Sequence, residues 1–306
     1  MTNAAHNSPI FTNETAAREA LESVRWPNGP VCVHCGATEN IARVGGTKKS
    51  HRPGLLYCNS CEGQFTVTVG TVFERSKIPL TKWWLATHLL CSSKKGISSH
   101  QIHRTLGVTY KTAWFMTHRI REAMKAGFLT PMGGEAISVE ADETFLSKSP
   151  KTRKPAGLLL NAKPAPMVFS LVERGANIRS MYLDHRNVRR AIYEHLDDKS
   201  RLVTDGAQTY KFVMPTLEQH ESVDHSKHEW VRGDVHTNTL ENFFSSFKRG
   251  LVGTYQNMSK RHLDRYLSEF DFRINNRAKL GISDAQRTTI AMKGIEGKRL
   301  TYRQAD

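Results

Sequence analysis

The chain is 306 residues long, and its 44 Lys and Arg outnumber 29 Asp and Glu to leave a formal net charge of +15. With 39% hydrophobic and 24% charged residues it has a globular composition, which excludes a disordered or fibrous chain. No apolar run reaches the ~18 residues of a membrane span, and Met1 to Thr12 lack the cationic stretch and apolar core of a secretory signal, so a cytoplasmic protein without a membrane partner is expected. The surplus of base favours a polyanionic partner, with nucleic acid as the first candidate.

After an N-terminal segment, residues 1–26, four of the five cysteines form two knuckles, Cys32-Val33-His34-Cys35 and Cys58-Asn59-Ser60-Cys61. A Cys-x2-Cys turn sets two thiolates one tetrahedral edge apart, and two such turns complete a closed four-sulfur shell for Zn²⁺. Gly36 and Gly63 follow the knuckles, as tight turns require. The stretch from Tyr57 to Phe73 alternates polar and apolar residues and reads as the short strands of a zinc ribbon over residues 27–75. A disulfide framework is the alternative, but nothing marks the chain as secreted. With all four positions taken by protein the zinc is structural. His34 is expected to be exposed rather than a ligand, and Cys91, among Trp83, Trp84, Leu89 and Leu90, is expected to be a core thiol.

From Pro79 the apolar period lengthens from two to about 3.6. Thr81 is expected to cap a helix reaching about Ser93, with Gly96 ending it. Ser98-Ser99 opens a short helix carrying Ile102 and Leu106. Gly107-Val108-Thr109 forms a turn, and Thr109 caps a third helix with Ala113, Met116, Ile120 and Met124 at core spacing. This is a helix-turn-helix layout over residues 76–127, with the third helix suited to the major groove. Tyr110, Lys111, Thr112 and Trp114 at its N-terminus are the candidate DNA contacts, and Lys111, His118, Arg119 and Arg121 form its basic face. The alternative is a plain three-helix packing unit.

Residues 134–280 read as strand, hairpin, helix, strand, helix, the order of a ribonuclease-H-like α/β domain. A strand covers Ala136 to Leu146, and a Lys- and Pro-rich loop follows it from Lys148 to Pro166. Met167 to Glu173 and Ile178 to Leu183 make a hairpin about Arg174-Gly175-Ala176-Asn177. Val188 to Leu196 is helical, and a buried strand Arg201 to Thr204 ends at Asp205-Gly206. A last helix begins near Thr239, capped by Thr237 or Asn238. Its apolar face is Leu240, Phe243, Phe244, Phe247 and Leu251, whereas Glu241, Ser245 and Lys248 share the other face. Residues 281–306 read as a C-terminal tail.

Three acids stand at telling places in this scheme: Asp142 within a strand, Asp205 at a strand end, and Glu241 in the first turn of a helix. Two divalent ions ~3.5–4 Å apart need several carboxylate oxygens converging from separate elements. Singly, an Asp-Gly is a common turn and a Glu in a first turn is a common dipole partner. Their combination behind two DNA-binding modules points to a metal site. Lys248 and Arg249 on the same helix are candidates for gripping DNA phosphate. Eight Lys and Arg between residues 245 and 279 (Lys248, Arg249, Lys260, Arg261, Arg265, Arg273, Arg277 and Lys279) face the acids Asp264, Glu269 and Asp271 and suggest a phosphate track. Of His225, His228 and His236, the first is the candidate neighbour of the acids.

Several of these stretches together resemble the zinc-ribbon class of bacterial insertion-sequence transposases. They are Arg25-Trp26-Pro27 with the first knuckle, Glu140-Ala141-Asp142-Glu143-Thr144, Thr204-Asp205-Gly206, Val235 to Gly250, Arg265 to Phe270, and Asn275-Asn276-Arg277. The likeness runs from about residue 12 to Leu300-Thr301-Tyr302. It implies a DDE transposase with a ribonuclease-H fold, catalysis with Mg²⁺ or Mn²⁺, and a homo-oligomer, at least a dimer, joining two transposon ends of double-stranded DNA. By that resemblance Asp142 and Asp205 are the first two acids and Glu241 the third, with Asn238 as the alternative or auxiliary ligand and Lys248 as the downstream lysine. The stretch 148–166 departs from the Gly-rich segment of the class. The implied reaction is in-line attack by water at the transposon end, then attack of the freed 3′-hydroxyl on target DNA. No Gly-x4-Gly-Lys-Ser/Thr loop is present, so ATP is not implied. The rival readings are a DNA-binding regulator without catalysis and a metal-dependent nuclease without strand transfer.

Overall fold

The computed structural model describes residues 8–45, 51–127, 130–146, 167–183, 187–207, 210 and 219–301. The chain divides into two compact units, one of Met1–Lys125 with Asn276–Asp306 and one of Ala126–Asn275. The loop 148–166 lies outside the described residues.

In the first unit, α1 (Glu14–Arg25) is capped by Asn13, whose side chain accepts from the backbone N–H groups of Thr15 and Ala16 at 2.9 and 3.1 Å. An antiparallel sheet of β1 (Ile41–Val44), β2 (Leu55–Cys58) and β3 (Gln64–Phe65) follows, in the order β1-β2-β3. The alternation running to Phe73 outlasts the strand, which stops at Phe65. The Arg25 guanidinium takes the carbonyl oxygens of Val67 and Val69, each at 2.8 Å, so that segment has turned away from a ladder.

Three helices come next: α2 (Leu80–Ser92), α3 (Ser99–Leu106) and α4 (Tyr110–Met124). The α2 helix starts one residue ahead of its expected cap Thr81. Its free N–H groups at Leu80 and Thr81 are taken at 2.7 and 3.2 Å by the Glu14 carboxylate of α1. A capping box between Ser98 and Gln101 opens α3, and Gly107, at φ +60°, ends it in the left-handed conformation that glycine tolerates best. Thr109 caps α4, as its place in the sequence requires. The three helices pack on one another, and Trp83, Leu90, Cys91, Ile102, Ala113, Met116 and Ile120 are all buried.

Residues 281–306, read from sequence as a tail, instead carry a helix, Asp284–Lys293, that packs on α2. Arg287 donates to the Cys91 carbonyl at 2.8 Å, and the Val72 amide donates to the Ile295 carbonyl at 3.1 Å. The approach is closest at Gly294, where an added Cβ would stand 2.2 Å from the Ala123 carbonyl oxygen.

The second unit is built on a five-stranded sheet of β4 (Ser138–Phe145), β5 (Met167–Glu173), β6 (Ile178–Leu183), β7 (Arg201–Asp205) and β8 (Gln219–Val223), in the order β6-β5-β4-β7-β8. The β4-β5-β6 meander is antiparallel, while β7 runs parallel to β4 and β8 parallel to β7. The edge strand β8 is absent from the sequence reading because Gln219-His220-Glu221-Ser222-Val223 buries only its valine and lacks an apolar period. On one face, Val139, Ala141, Phe169 and Leu202 pack on α5 (Val188–His195). On the other, Val168, Val172 and Ile178 meet Leu240, Phe243 and Phe247 of α6 (Asn238–Gly250) and Leu267 and Phe270 of α7 (Leu263–Asn275).

The outer edge of β6 is covered by side chains of α7. Asp271 accepts from the Ser180 amide and hydroxyl, both at 2.7 Å, and Asn275 brackets the Ile178 amide and carbonyl at 2.7 and 2.9 Å. An open strand edge is thereby closed without a further strand. Burial pushes the Asp271 carboxyl up to about 7, against the two Ser180 donors that favour its charged form.

Two outcomes follow from these contacts. Gly294→Ala should destabilise the protein by ~1–3 kcal/mol through the clash with Ala123, and an unchanged denaturant midpoint would contradict the close packing. Asp271 titrates higher folded than unfolded, so its contribution is full below pH ~4 and is lost as pH rises through about 7. The melting temperature of the protein, measured without added divalent ions, should therefore fall over that window, and Asp271→Asn should flatten the fall. An equally steep slope in the variant would count against it.

Candidate active site and metal centre

The two knuckles meet at the end of the small sheet. The sulfur atoms of Cys32, Cys35, Cys58 and Cys61 all lie within 4.8 Å of one another, with Cys32–Cys61 at 3.6 Å and Cys35–Cys58 at 3.7 Å. A tetrahedron of sulfurs ~2.3 Å from a zinc ion has edges of about 3.8 Å. The four cysteines are thus poised for zinc. Cys32 and Cys58 are buried, Cys35 and Cys61 exposed, and none is in a disulfide. His34 is exposed and stands outside the cluster, its ring Nε2 3.3 Å from the Gln64 carbonyl.

In the second unit, β4 and β7 run in parallel with Ala141 beside Thr204, so the next residues along are Asp142 and Asp205. Strand alternation turns Val139 and Ala141 onto the α5 core and Glu140 and Asp142 to the opposite face, where α6 lies. Glu241 stands in the first turn of α6. Burial raises the Asp142 carboxyl to about 7, and the negative charges of Asp205 and Glu241 push it the same way, against the Glu143 amide that donates to it at 2.7 Å. Asp142 is therefore near enough to both other acids to feel their charge. Among the described residues, only the cysteines gather three or more ligand atoms within 4.8 Å, so the acids are spread more widely than a single-ion shell.

The surroundings of the acids separate by face. Glu143 points away from Asp142, and the buried Tyr210 hydroxyl donates to it. Glu241 lies 3.9 Å from His225 Nε2 and 3.5 Å from the Thr237 hydroxyl. His225 thus stands beside an acid, as its place in the sequence led us to expect, with Trp230 tilted over its ring at 4.7 Å. His228 is exposed. Asn238 is the exposed first residue of α6, its carbonyl taken by the Asn242 side chain at 2.9 Å. Lys248 and Arg249 are exposed in the last turn, about two turns from Glu241.

Sequence reasoning missed the part played by Glu140 and Arg174. Glu140 is fully buried and accepts from Arg174 Nε at 2.9 Å, from the Thr239 hydroxyl and amide at 2.8 and 3.1 Å, and from the Leu240 amide at 3.3 Å. Arg174 also donates to the carbonyls of Asp234 and His236, the latter at 2.9 Å. The only signal in the sequence was a second carboxylate two residues before Asp142, on the same strand face.

On α4, Tyr110 is exposed and stacked on His100 at 4.2 Å, and Lys111 is exposed. Thr112 and Trp114 are half-buried, with Trp114 tilted against His118 at 4.1 Å. The expected basic face needs correction. His118 and Arg121 are buried, Arg121 donating to the Thr117 hydroxyl at 3.2 Å, and the half-buried Arg119 donates to the Glu74 carbonyl at 3.3 Å. These positions lie on the packing side of the helix, leaving Lys111 as the exposed cation of the four. The phosphate track loses Arg273 likewise, which is buried against Glu269 at 2.7 Å.

A family model described as an ISXO2-like transposase domain matches residues 132–275, and one described as a transposase zinc-ribbon domain matches residues 12–64. The chain belongs to the zinc-ribbon DDE transposases. A Halobacterium salinarum relative, described as an uncharacterized protein in transposable element ISH50, is 29% identical over 282 residues, covering 86% of this chain and 91% of its own length. Membership in this class assigns the transposase to DNA transposition and its mixed α/β catalytic unit to the ribonuclease-H-like fold. Among the described residues, no helix of the transposase is long and apolar enough to cross a membrane.

Metal removal tests the cysteine centre. A strong chelator should release about one zinc per chain and open the ribbon, as binding energy of this kind is folding energy. Cys58→Ser should release it at a lower chelator concentration. Metal analysis finding no zinc in the purified chain would contradict the assignment.

Proposed function

We propose that the transposase cuts transposon-end DNA and joins the freed 3′-hydroxyl to target DNA by in-line phosphodiester exchange, with Asp142, Asp205 and Glu241 as ligands for two divalent ions, Mg²⁺ or Mn²⁺. The observation that carries this reading is the parallel pairing of β4 with β7, which sets Asp142 and Asp205 at adjacent positions with the Glu241-bearing helix on the Asp142 face. The raised Asp142 carboxyl accords with it. Concentrated negative charge on one sheet face is costly unless cations meet it. Bound ions would lower the pKa of an attacking water or hydroxyl and offset charge on the phosphoryl oxygens. The acids span a strand, a neighbouring strand end and a facing helix, which suits oxygens approaching two ions from different sides. Glu241 is taken as the third ligand because it is a carboxylate in the first turn of α6, the helix that lies on the Asp142 face of the sheet. The exposed Asn238, one turn before it, remains as an auxiliary ligand.

The remaining roles follow from exposure and charge. Lys248 and Arg249 project from the helix that bears Glu241 and would hold the phosphates of the DNA end. The α2–α4 module acts as a helix-turn-helix, with Tyr110 and Lys111 at the α4 N-terminus as the exposed DNA contacts and Thr112 and Trp114 beside them. Joining two ends to one target calls for a homo-oligomer, at least a dimer. A phosphodiester replaces a phosphodiester, so no nucleotide hydrolysis is needed.

Asp142→Ala and Asp205→Ala should each reduce Mg²⁺-dependent cleavage of end DNA to background while leaving DNA binding within about twofold. Cleavage surviving in both variants would remove the reading, and persistent hydrolysis without joining of pre-cut ends would leave only a nuclease. Ion binding must displace the proton that Asp142 holds up to about 7. Apparent Mn²⁺ affinity should therefore climb as pH rises towards that value and level off above it, with proton release seen calorimetrically at the lower pH.

A further inference from the structure

The α6 helix begins without a side-chain cap of its own. Thr237 occupies the cap position and makes no capping hydrogen bond. A serine, threonine or asparagine there would ordinarily satisfy one of the free amides. Instead, the amides of Thr239 and Leu240 are taken by Glu140, a carboxylate about 100 positions earlier in the chain and fully buried beneath the helix. A buried carboxylate is strongly unfavourable unless it is met by partners throughout. This one is met by the Thr239 hydroxyl at 2.8 Å, by Arg174 at 2.9 Å and by the positive end of the helix. His236 Nδ1 lies 3.5 Å from it. Arg174 extends the grip by holding the Asp234 and His236 carbonyls, so the segment entering α6 is fixed as well.

A local cap would satisfy the same amides without burying a charge. What the remote cap adds is a fixed position of the helix relative to the strand. Glu140 is two residues from Asp142 on the same strand face, and Thr239 is two residues from Glu241 on α6. The hydrogen bonds between Glu140 and Thr239 thus tie the strand that bears Asp142 to the helix that bears Glu241. We infer that Glu140 is a positioning residue, clamped by Arg174, that sets where Glu241 stands beside Asp142 and so the geometry of the ion site. The inference rests on the proposed roles of Asp142, Asp205 and Glu241. Groups that orient metal ligands in this way typically carry 10–100-fold in metal affinity.

The test is a double-mutant cycle read by Mn²⁺ titration calorimetry on the full chain, alongside DNA cleavage. Glu140→Gln keeps the shape and removes the charge. It should weaken Mn²⁺ binding at the acids about tenfold in the wild-type background, and less than about twofold once Glu241→Ala is present, because Glu140 acts through that ligand. An equal loss in both backgrounds, or none in either, would overturn the inference. Should Glu140→Gln fail to fold, Thr239→Val decides instead. It deletes only the 2.8 Å hydroxyl bond, and it should show a smaller loss with the same dependence on Glu241. Cleavage by these variants should recover towards the wild-type rate as Mn²⁺ is raised to saturation, whereas a purely structural lesion would lower the folded fraction and the rate alike at every Mn²⁺ concentration. Asp142→Ala serves as the control. If it leaves Mn²⁺ binding intact, the proposed ion site itself fails; if it abolishes binding while Glu140→Gln does not weaken it, only the positioning role fails.

Discussion

Parallel pairing of β4 with β7 sets Asp142 and Asp205 side by side, and the catalytic unit is organised around the repulsion that this creates. The charge of Asp205 on the neighbouring strand disfavours the ionised Asp142 carboxyl, and that of Glu241 on α6 acts the same way. The sheet bears that cost because its opposite face is a dense apolar layer against α5 and because α6 and α7 bury a run of phenylalanines below the acids. Under the proposed function the cost is held at one place and would be relieved by cations, as in many ion-dependent active sites.

Both units solve the same local problem in the same way. A helix that starts without its own cap takes a glutamate from elsewhere in the chain: Glu14 for α2 and Glu140 for α6. In the first unit this ties α1 to the three-helix module. In the second it ties the helix bearing one acid to the strand bearing another. A negative charge at a helix N-terminus is favourable in either setting, but only in the second would the arrangement bear on the proposed ion site. Closure of the β6 edge by Asp271 and Asn275 is a further case of side chains completing backbone pairing that the chain's own strands leave open.

Much of this was legible in the sequence because it depends on short-range pattern. The cysteine spacing, the β5–β6 hairpin about Arg174-Gly175, the capping residues Ser98 and Thr109, and the acids at strand and helix ends are all local signals. What escaped depends on distant partners. Strand β8 has no apolar alternation and is held by pairing with β7. Glu140 looked like one more polar residue of an alternating strand, because its partners Arg174 and Thr239 lie 34 and 99 positions away. His118, Arg121 and Arg273 were read as surface cations on charge alone, yet each is buried among groups that its own helix or a neighbour supplies. The closing segment reads as a tail in sequence because the α2 surface that receives it is nearly 200 residues earlier.

The central claim is that three carboxylates from separate elements share a pair of ions. Crystals of the transposase grown with Mn²⁺ and measured at the manganese absorption edge address it directly. The account predicts anomalous peaks bounded by the side chains of Asp142, Asp205 and Glu241, with Glu140 close by and unligated. Peaks elsewhere in the catalytic unit, or none against these acids at saturating Mn²⁺, would contradict it.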